Sequence, residues 1–223
     1  MIALEGKRLG YNWPMKKITP QRAIRAKKTG SKVDGRRTRG ETNRRRIVAA
    51  LSDLIREGLV APSADLVAAR AGVGLRSVFR HFADMETLYR EIASDLDQLF
   101  LPSIYQRLEA TGWRERLMEG LEVRAKVFED LMPFHVASEV HRHESPFLDE
   151  QQIKSTKLQR ELLQHLLPAE IVADKTLFEA LSLALSMESW LRLRREQRLS
   201  KAAAKRVLLL TAIALVTGVA IDE

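Results

Sequence analysis

Residues Ser63–Ile92 read SADLVAARAGVGLRSVFRHFADMETLYREI, and the punctuation of this stretch decides the fold. Ser63 follows Pro62 and opens a run in which Ala64, Val67, Ala68 and Ala71 recur at helical spacing. A serine at that place offers its side-chain oxygen to the unpaired amides of the first turn, so it is the expected N-cap. The inward residues are small, which allows close helix crossing. The run breaks at Ala71-Gly72-Val73, where glycine supplies the φ > 0 that a sharp turn requires. A shorter helix is expected from Leu75 to Phe82, with Leu75, Val78, Phe79 and Phe82 as its apolar face. Asp84 then caps another helix bearing Leu88, Ile92, Leu96 and Leu99, expected to end near Pro102. Two short helices joined by a glycine-containing turn make a helix-turn-helix, whose second helix fits the DNA major groove.

Upstream, Ile47, Val48, Leu51, Leu54 and Ile55 form one apolar stripe, predicting a helix over Thr42–Glu57 that stops at Gly58. Residues 1–40 have no sustained period and read as a disordered basic arm. The chain of 223 residues carries 37 Lys or Arg and 29 Asp or Glu, a formal net charge of +8. Residues 1–46 hold 15 of those bases and 3 of the acids, a net of +12, which leaves −4 on the rest. A basic end on a near-neutral body suits nucleic acid, although an anionic membrane would attract the same arm.

Downstream, glycine and proline predict helices over 103–110, 114–131, 134–143, 148–166, 174–196 and 200–219. No run of period-2 alternation stands out, so the expected fold class is all-α. The expected division is a basic arm at 1–40, a helix-turn-helix domain at 41–92 and a helical ligand-binding and dimerisation domain at 93–223. With no cysteine, disulfides and thiolate chemistry are excluded. No signal peptide is read in residues 1–20. The longest uncharged stretch, Val207–Ile221, is 15 residues, against the ~20 of a membrane span. A cytoplasmic protein without a membrane partner is the expectation.

The stretch AGVGLRSVFRHF followed by DMETL, within Ser63–Ile92, resembles the DNA-binding signature of TetR-family transcription regulators. The resemblance covers about residues 42–92. It implies a homodimer on duplex DNA, its two recognition helices one DNA turn apart on a near-palindromic site. It also implies roles by position. Leu75, Arg76 and Ser77 occupy the groove-facing start of the recognition helix, although Leu75 reads equally well as core. Arg76 suits a guanine edge or a phosphate, and Ser77 suits a phosphate. Phe79 stands where Tyr is common and Met85 where Lys is frequent, so two customary phosphate contacts are absent, and Gly74 stands where Ser often caps the helix, so that side-chain cap is absent too. Arg80 and His81 fall at the exposed helix end, and Ser63 opens the helix before. Arg36, Arg37 and Arg39 are placed for a flexible arm to enter the adjacent minor groove.

Dimerisation is expected through about residues 174–219, where Leu177, Leu181, Ala184, Leu185, Trp190, Leu208, Ile213, Leu215 and Val216 exceed what one buried face needs. An unidentified small-molecule effector is implied by the resemblance, with Trp113, Phe128, Phe134, Phe147 and Phe178 as candidate pocket residues. His135, Glu139, His141 and His143 include i,i+4 pairs of the kind that hold metals. Arg142 and Pro146 make the segment read instead as a solvated helix end, and no metal or cofactor is assigned. No P-loop, G-x-S-x-G, H-E-x-x-H or Rossmann glycine pattern occurs, so no catalytic site is assigned. The favoured reading is a ligand-responsive repressor. Its rivals are an architectural DNA binder without an effector and a helical enzyme or adaptor with a basic tail.

Overall fold

The computed structural model describes residues 35–217. Among them there is no strand, and the chain is all-α. Its first four helices are α1 (Gly35–Arg56), α2 (Ala64–Ala71), α3 (Leu75–His81) and α4 (Met85–Ile104). Six more follow: α5 (Trp113–His141), α6 (Pro146–Leu166), α7 (Ala169–Ala173), α8 (Lys175–Ala184), α9 (Met187–Leu191) and α10 (Lys201–Val216). A 3-10 turn, Arg142–Glu144, joins α5 to α6, and a π-helical turn, Arg192–Glu196, extends α9. Among the described residues no helix is long and apolar enough to cross a membrane.

Local chemistry sets the helix starts. Ser63 accepts the Leu66 amide at 3.3 Å and Asp84 accepts the Thr87 amide at 2.7 Å. Ser145, Asp174, Ser186 and Ser200 cap α6, α8, α9 and α10 in the same way. Gly72 ends α2 at φ 63°, and the amides of Gly72 and Val73 return to the last carbonyls of the helix.

Two apolar cores form. One gathers Ile47, Leu51, Leu54 and Ile55 of α1 with Val67, Val78, Phe82, Leu88 and Ile92. It also draws Phe134, Ala137, Phe147 and Leu148 from α5 and α6, which join the head of the molecule to its body. The second core packs Leu117, Leu121, Phe128, Leu163, Ile171, Phe178, Leu181, Trp190, Leu208 and Val216 among α5–α10.

Several element boundaries differ from the sequence expectations. Helix α1 begins at Gly35, not Thr42, so residues 35–40 are helix and not arm. Helix α4 runs through Pro102 to Ile104, across the expected boundary at residue 92. A proline in the last turn removes little more than its own amide bond, so it did not end the helix early. The expected helix at 103–110 is absent beyond Ile104. There the Glu119 carboxylate accepts the amides of Glu109 and Ala110 at 3.0–3.1 Å, replacing helical partners. Pro133 does not divide α5, because burial of Val127, Phe128, Phe134 and Ala137 on either side offsets the lost bond. The single helix expected over 174–196 is broken at Leu185–Ser186. Ser186 starts a new helix there, and Arg124 Nη1 donates to the Leu185 carbonyl at 2.7 Å.

Candidate nucleic-acid interface

Helices α2 and α3 meet at the Gly72 turn, and α1 packs behind both. A Cβ at Gly72 would lie 2.8 Å from Arg46 Nη2, so the glycine both makes the turn and leaves room for a cation beside it. The buried side of α3 is Val78, followed by Phe82 at its end. At about 100° per residue, the arc of α3 opposite Val78 carries Arg76 and Arg80, and Leu75 and Phe79 lie on the flank between that arc and the core. All four are exposed, Leu75 at 36% and Phe79 at 53%. Within the apolar face expected for α3, Val78 and Phe82 turn inward, whereas Phe79 is more than half exposed and Leu75 is partly so. Ser77 is partly buried on the flank, and its Oγ accepts Arg80 Nη2 at 3.2 Å.

His81 departs from its expected place. It is half-buried, Gly40 lies against its ring, and its Nε2 is buried with no hydrogen-bond partner among the described residues. Burial first, then the Arg80 and Arg44 charges, push its pKa below the usual histidine value. His81 therefore packs α3 against α1 and is turned away from the outward face. Ser63 remains exposed at the start of α2, its oxygen engaged in the cap. Arg39 is exposed on the second turn of α1, and Arg36 and Arg37 belong to the backbone of the same helix. Their expected place in a flexible arm is corrected accordingly. Side chains before residue 38 and the arm before residue 35 lie outside the described residues.

Arg44 is the positioning residue that the sequence reading missed. Nη1 donates to the His81 carbonyl at 2.9 Å, Nη2 meets Glu91 at 2.6 Å, and the guanidinium lies 4.5 Å from the Phe82 ring centre. It ties the end of α3 to α1 and α4. The signal was available: position 44 lies three and four residues before Ile47 and Val48, so it falls on the inward stripe. Arg70 turns away to a bidentate pair with Glu57 at 2.7–2.8 Å. The pairing raises the Arg70 pKa and lowers that of Glu57.

Two structures in the comparison share this architecture. A transcriptional regulator from Rhodococcus sp. Rha1 aligns with a TM-score of 0.63 at 19% identity, covering 81% of this chain and 99% of that one. A protein from Mesorhizobium loti, described as a TetR-family transcriptional regulator, aligns with a TM-score of 0.55 at 20% identity. That alignment covers 80% of this chain and 97% of the other. The fold is that of TetR-family regulators. No family model matches the chain, and no curated protein matches it.

In this TetR-type fold the five aromatics expected to line one pocket are not brought together. Phe134 and Phe147 belong to the first core, Phe128 and Phe178 to the second, and Trp113 packs at the edge of the second. Two surface grooves, one between α1 and α4 and one between α5 and the π-helical turn, are lined by none of them. Nor do His135, Glu139, His141 and His143 converge. Glu139 pairs with Arg142 at 2.8 Å, and the His141 ring lies 5.6 Å from that of Tyr89. Among the described residues no group of three or more His, Asp or Glu is placed to hold a metal.

The C-terminal helices are also sorted by the structure. Leu181, Leu185, Trp190, Leu208 and Val216 are buried in the chain's own core. The apolar residues left outside on α8 and α10 are Leu183 at 71% exposure, Leu210 at 69%, Val207 and Ile213. Of these, only Ile213 was named from the sequence.

Proposed function

We propose that this chain is a sequence-specific DNA-binding transcription regulator, working as a homodimer with α3 as its recognition helix. The observation that carries the reading is the open side of α3, where Arg76 and Arg80 lie opposite the buried Val78 and the partly exposed Leu75 and Phe79 flank them on a short helix. That helix is braced from behind by Val78, Phe82 and Arg44. Such a helix fits the major groove, and a basic N-terminal segment supplies phosphate attraction. The regulator neighbours and the shared fold support the reading.

Dimerisation is proposed through α8 and α10. Leu183, Val207, Leu210 and Ile213 form apolar surface that the described residues leave exposed, and a second copy would cover it symmetrically. The two α3 helices then lie about one DNA turn apart and favour a near-palindromic operator.

Effector control, with repression as the mode, completes the proposal and rests on the resemblance. The physical link from body to head is short. Glu86 in the first turn of α4 accepts a hydrogen bond from Ser145, which also caps α6, and Arg90 pairs with Glu86 at 2.7 Å. A ligand that favours one arrangement of α5 and α6 would change the operator affinity through this contact, and DNA would change ligand affinity by the same factor.

The test is selection of genomic fragments by the purified chain at physiological salt, followed by sequencing, with sedimentation to give the oligomeric state. A dimer that enriches a near-palindrome is expected. Uniform enrichment would favour an architectural DNA binder, and no enrichment would overturn the DNA reading.

A further inference from the structure

The recognition helix carries two parallel rows. Arg76 and Arg80 are four residues apart, and so are Leu75 and Phe79, so the arginine row runs opposite Val78 and the apolar row along the flank beside it. On successive turns of this seven-residue helix Phe79 is 53% exposed and Leu75 36%, so each keeps an apolar part that the described residues leave open. Phe79 has no hydroxyl and offers only an apolar ring edge and face. The start of the helix is open as well, since a Cβ at Gly74 would meet nothing within 4 Å.

We propose that Leu75 and Phe79 read the C5-methyl groups of thymines in the major groove, an inference that rests on the DNA-binding reading above. The occupant is fixed by the neighbouring row. Arg76 and Arg80 demand an anionic partner, and a partner that combines anionic backbone with apolar points is duplex DNA. Of the four bases only thymine presents a methyl group in the major groove. Four helical residues rise about 6 Å, and DNA rises about 3.4 Å per base step. The apolar row therefore spans about two steps. Each half-site should contain two thymines within about two base pairs, on either strand, beside a guanine met by the arginine row.

Deoxyuridine makes the test clean, because it pairs like thymine and lacks only the methyl. In the duplex enriched by the full-length chain, each thymine is replaced singly by deoxyuridine and the affinity is measured. About fourfold weakening per contacted methyl is expected, the transfer equivalent of one buried CH₂ group. It should appear at one or two positions per half-site. In the double variant Leu75→Ala, Phe79→Ala the same replacements should have no effect. Both side chains are exposed, and an unchanged melting temperature would show that this variant folds.

Specific binding that is indifferent to every replacement would overturn methyl readout and leave the DNA-binding reading intact. Failure to enrich any DNA would overturn both. A double variant that changes oligomeric state while deoxyuridine has no effect would overturn the proposal by assigning the apolar row to protein contact.

Discussion

Arginines do opposite work in the two halves of this molecule. On α3, Arg76 and Arg80 point away from the core, and Arg46 stands beside the turn that precedes them. In the body they turn inward and close helix ends. Arg124 donates to the carbonyls of Leu185 and Gln159, and burial pushes its pKa down to about 10, which leaves it charged at neutral pH. Arg194 grips Glu129 through Nε and Nη2 at 2.7–2.9 Å and also donates to the Leu199 carbonyl. The Trp190 indole N–H donates to the same Glu129 carboxylate at 3.2 Å. A charge set inside an apolar stripe becomes a brace, and the same charge set outside it remains available to a partner. Arg44 shows that the head follows the rule too, because it lies on the inward stripe and works as a brace.

Substitutions in the body should therefore cost stability, whereas those on α3 should cost DNA affinity alone. The largest expected effect is that of Trp190→Ala, whose side chain is fully buried. It should destabilise by about 3–5 kcal/mol, read by chemical denaturation.

Glu129→Gln comes next. It strands a shielded Arg194 and should cost about 3 kcal/mol, near the lower end for breaking such a pair. The pH dependence sharpens the point. The hydrogen bond from Arg194 leads in holding the Glu129 pKa below its ordinary 4.5. Its contribution is then fully present above that ordinary value and is lost as pH falls through the lowered, folded-state pKa. The wild-type chain should lose stability more steeply below pH 4.5 than the Gln variant, and parallel curves would remove the pair from the account.

Arg76→Ala should weaken specific DNA binding by about 1–3 kcal/mol. Its melting temperature should hold within the scatter of exposed substitutions, and a clear drop would mean that Arg76 is a brace after all. The smallest effect is expected of Gly74→Ser. Gly74 caps α3 without a side-chain hydrogen bond, in an extended conformation that Ser tolerates. A stabilisation of a few tenths of a kcal/mol is expected, and a destabilised variant would show that the open space at Gly74 is filled in solution.

The head was legible in the sequence because its signals are local. Ser63, Gly72 and Asp84 act within four residues of themselves, and Ile47–Ile55 declare their stripe by spacing alone. The same local rules misread Pro102 and Pro133, where the burial of distant residues or position in the last turn outweighs a missing amide. They also misread Leu75 and Phe79, since helical spacing alone places both beside Val78. Only packing against α1 shows that the inward arc ends at Val78 and Phe82. The break at Leu185 was hidden for a related reason, because the group that satisfies its carbonyl, Arg124, lies 61 residues away. The proposed effector pocket was drawn from aromatic residue type, and aromatic residues serve two separate cores here.

The most direct test of the central claim moves one half-site. In the enriched duplex, about five base pairs inserted between the half-sites would turn one of them to the opposite face of the DNA, since a turn takes 10–10.5 base pairs. If two α3 helices of a dimer read the operator together, affinity should fall to that of a single half-site, and a full-turn insertion, which adds about 34–36 Å between the half-sites, should lower it likewise. Affinity indifferent to the half-turn insertion would contradict the account and leave α3 without a paired reading of DNA.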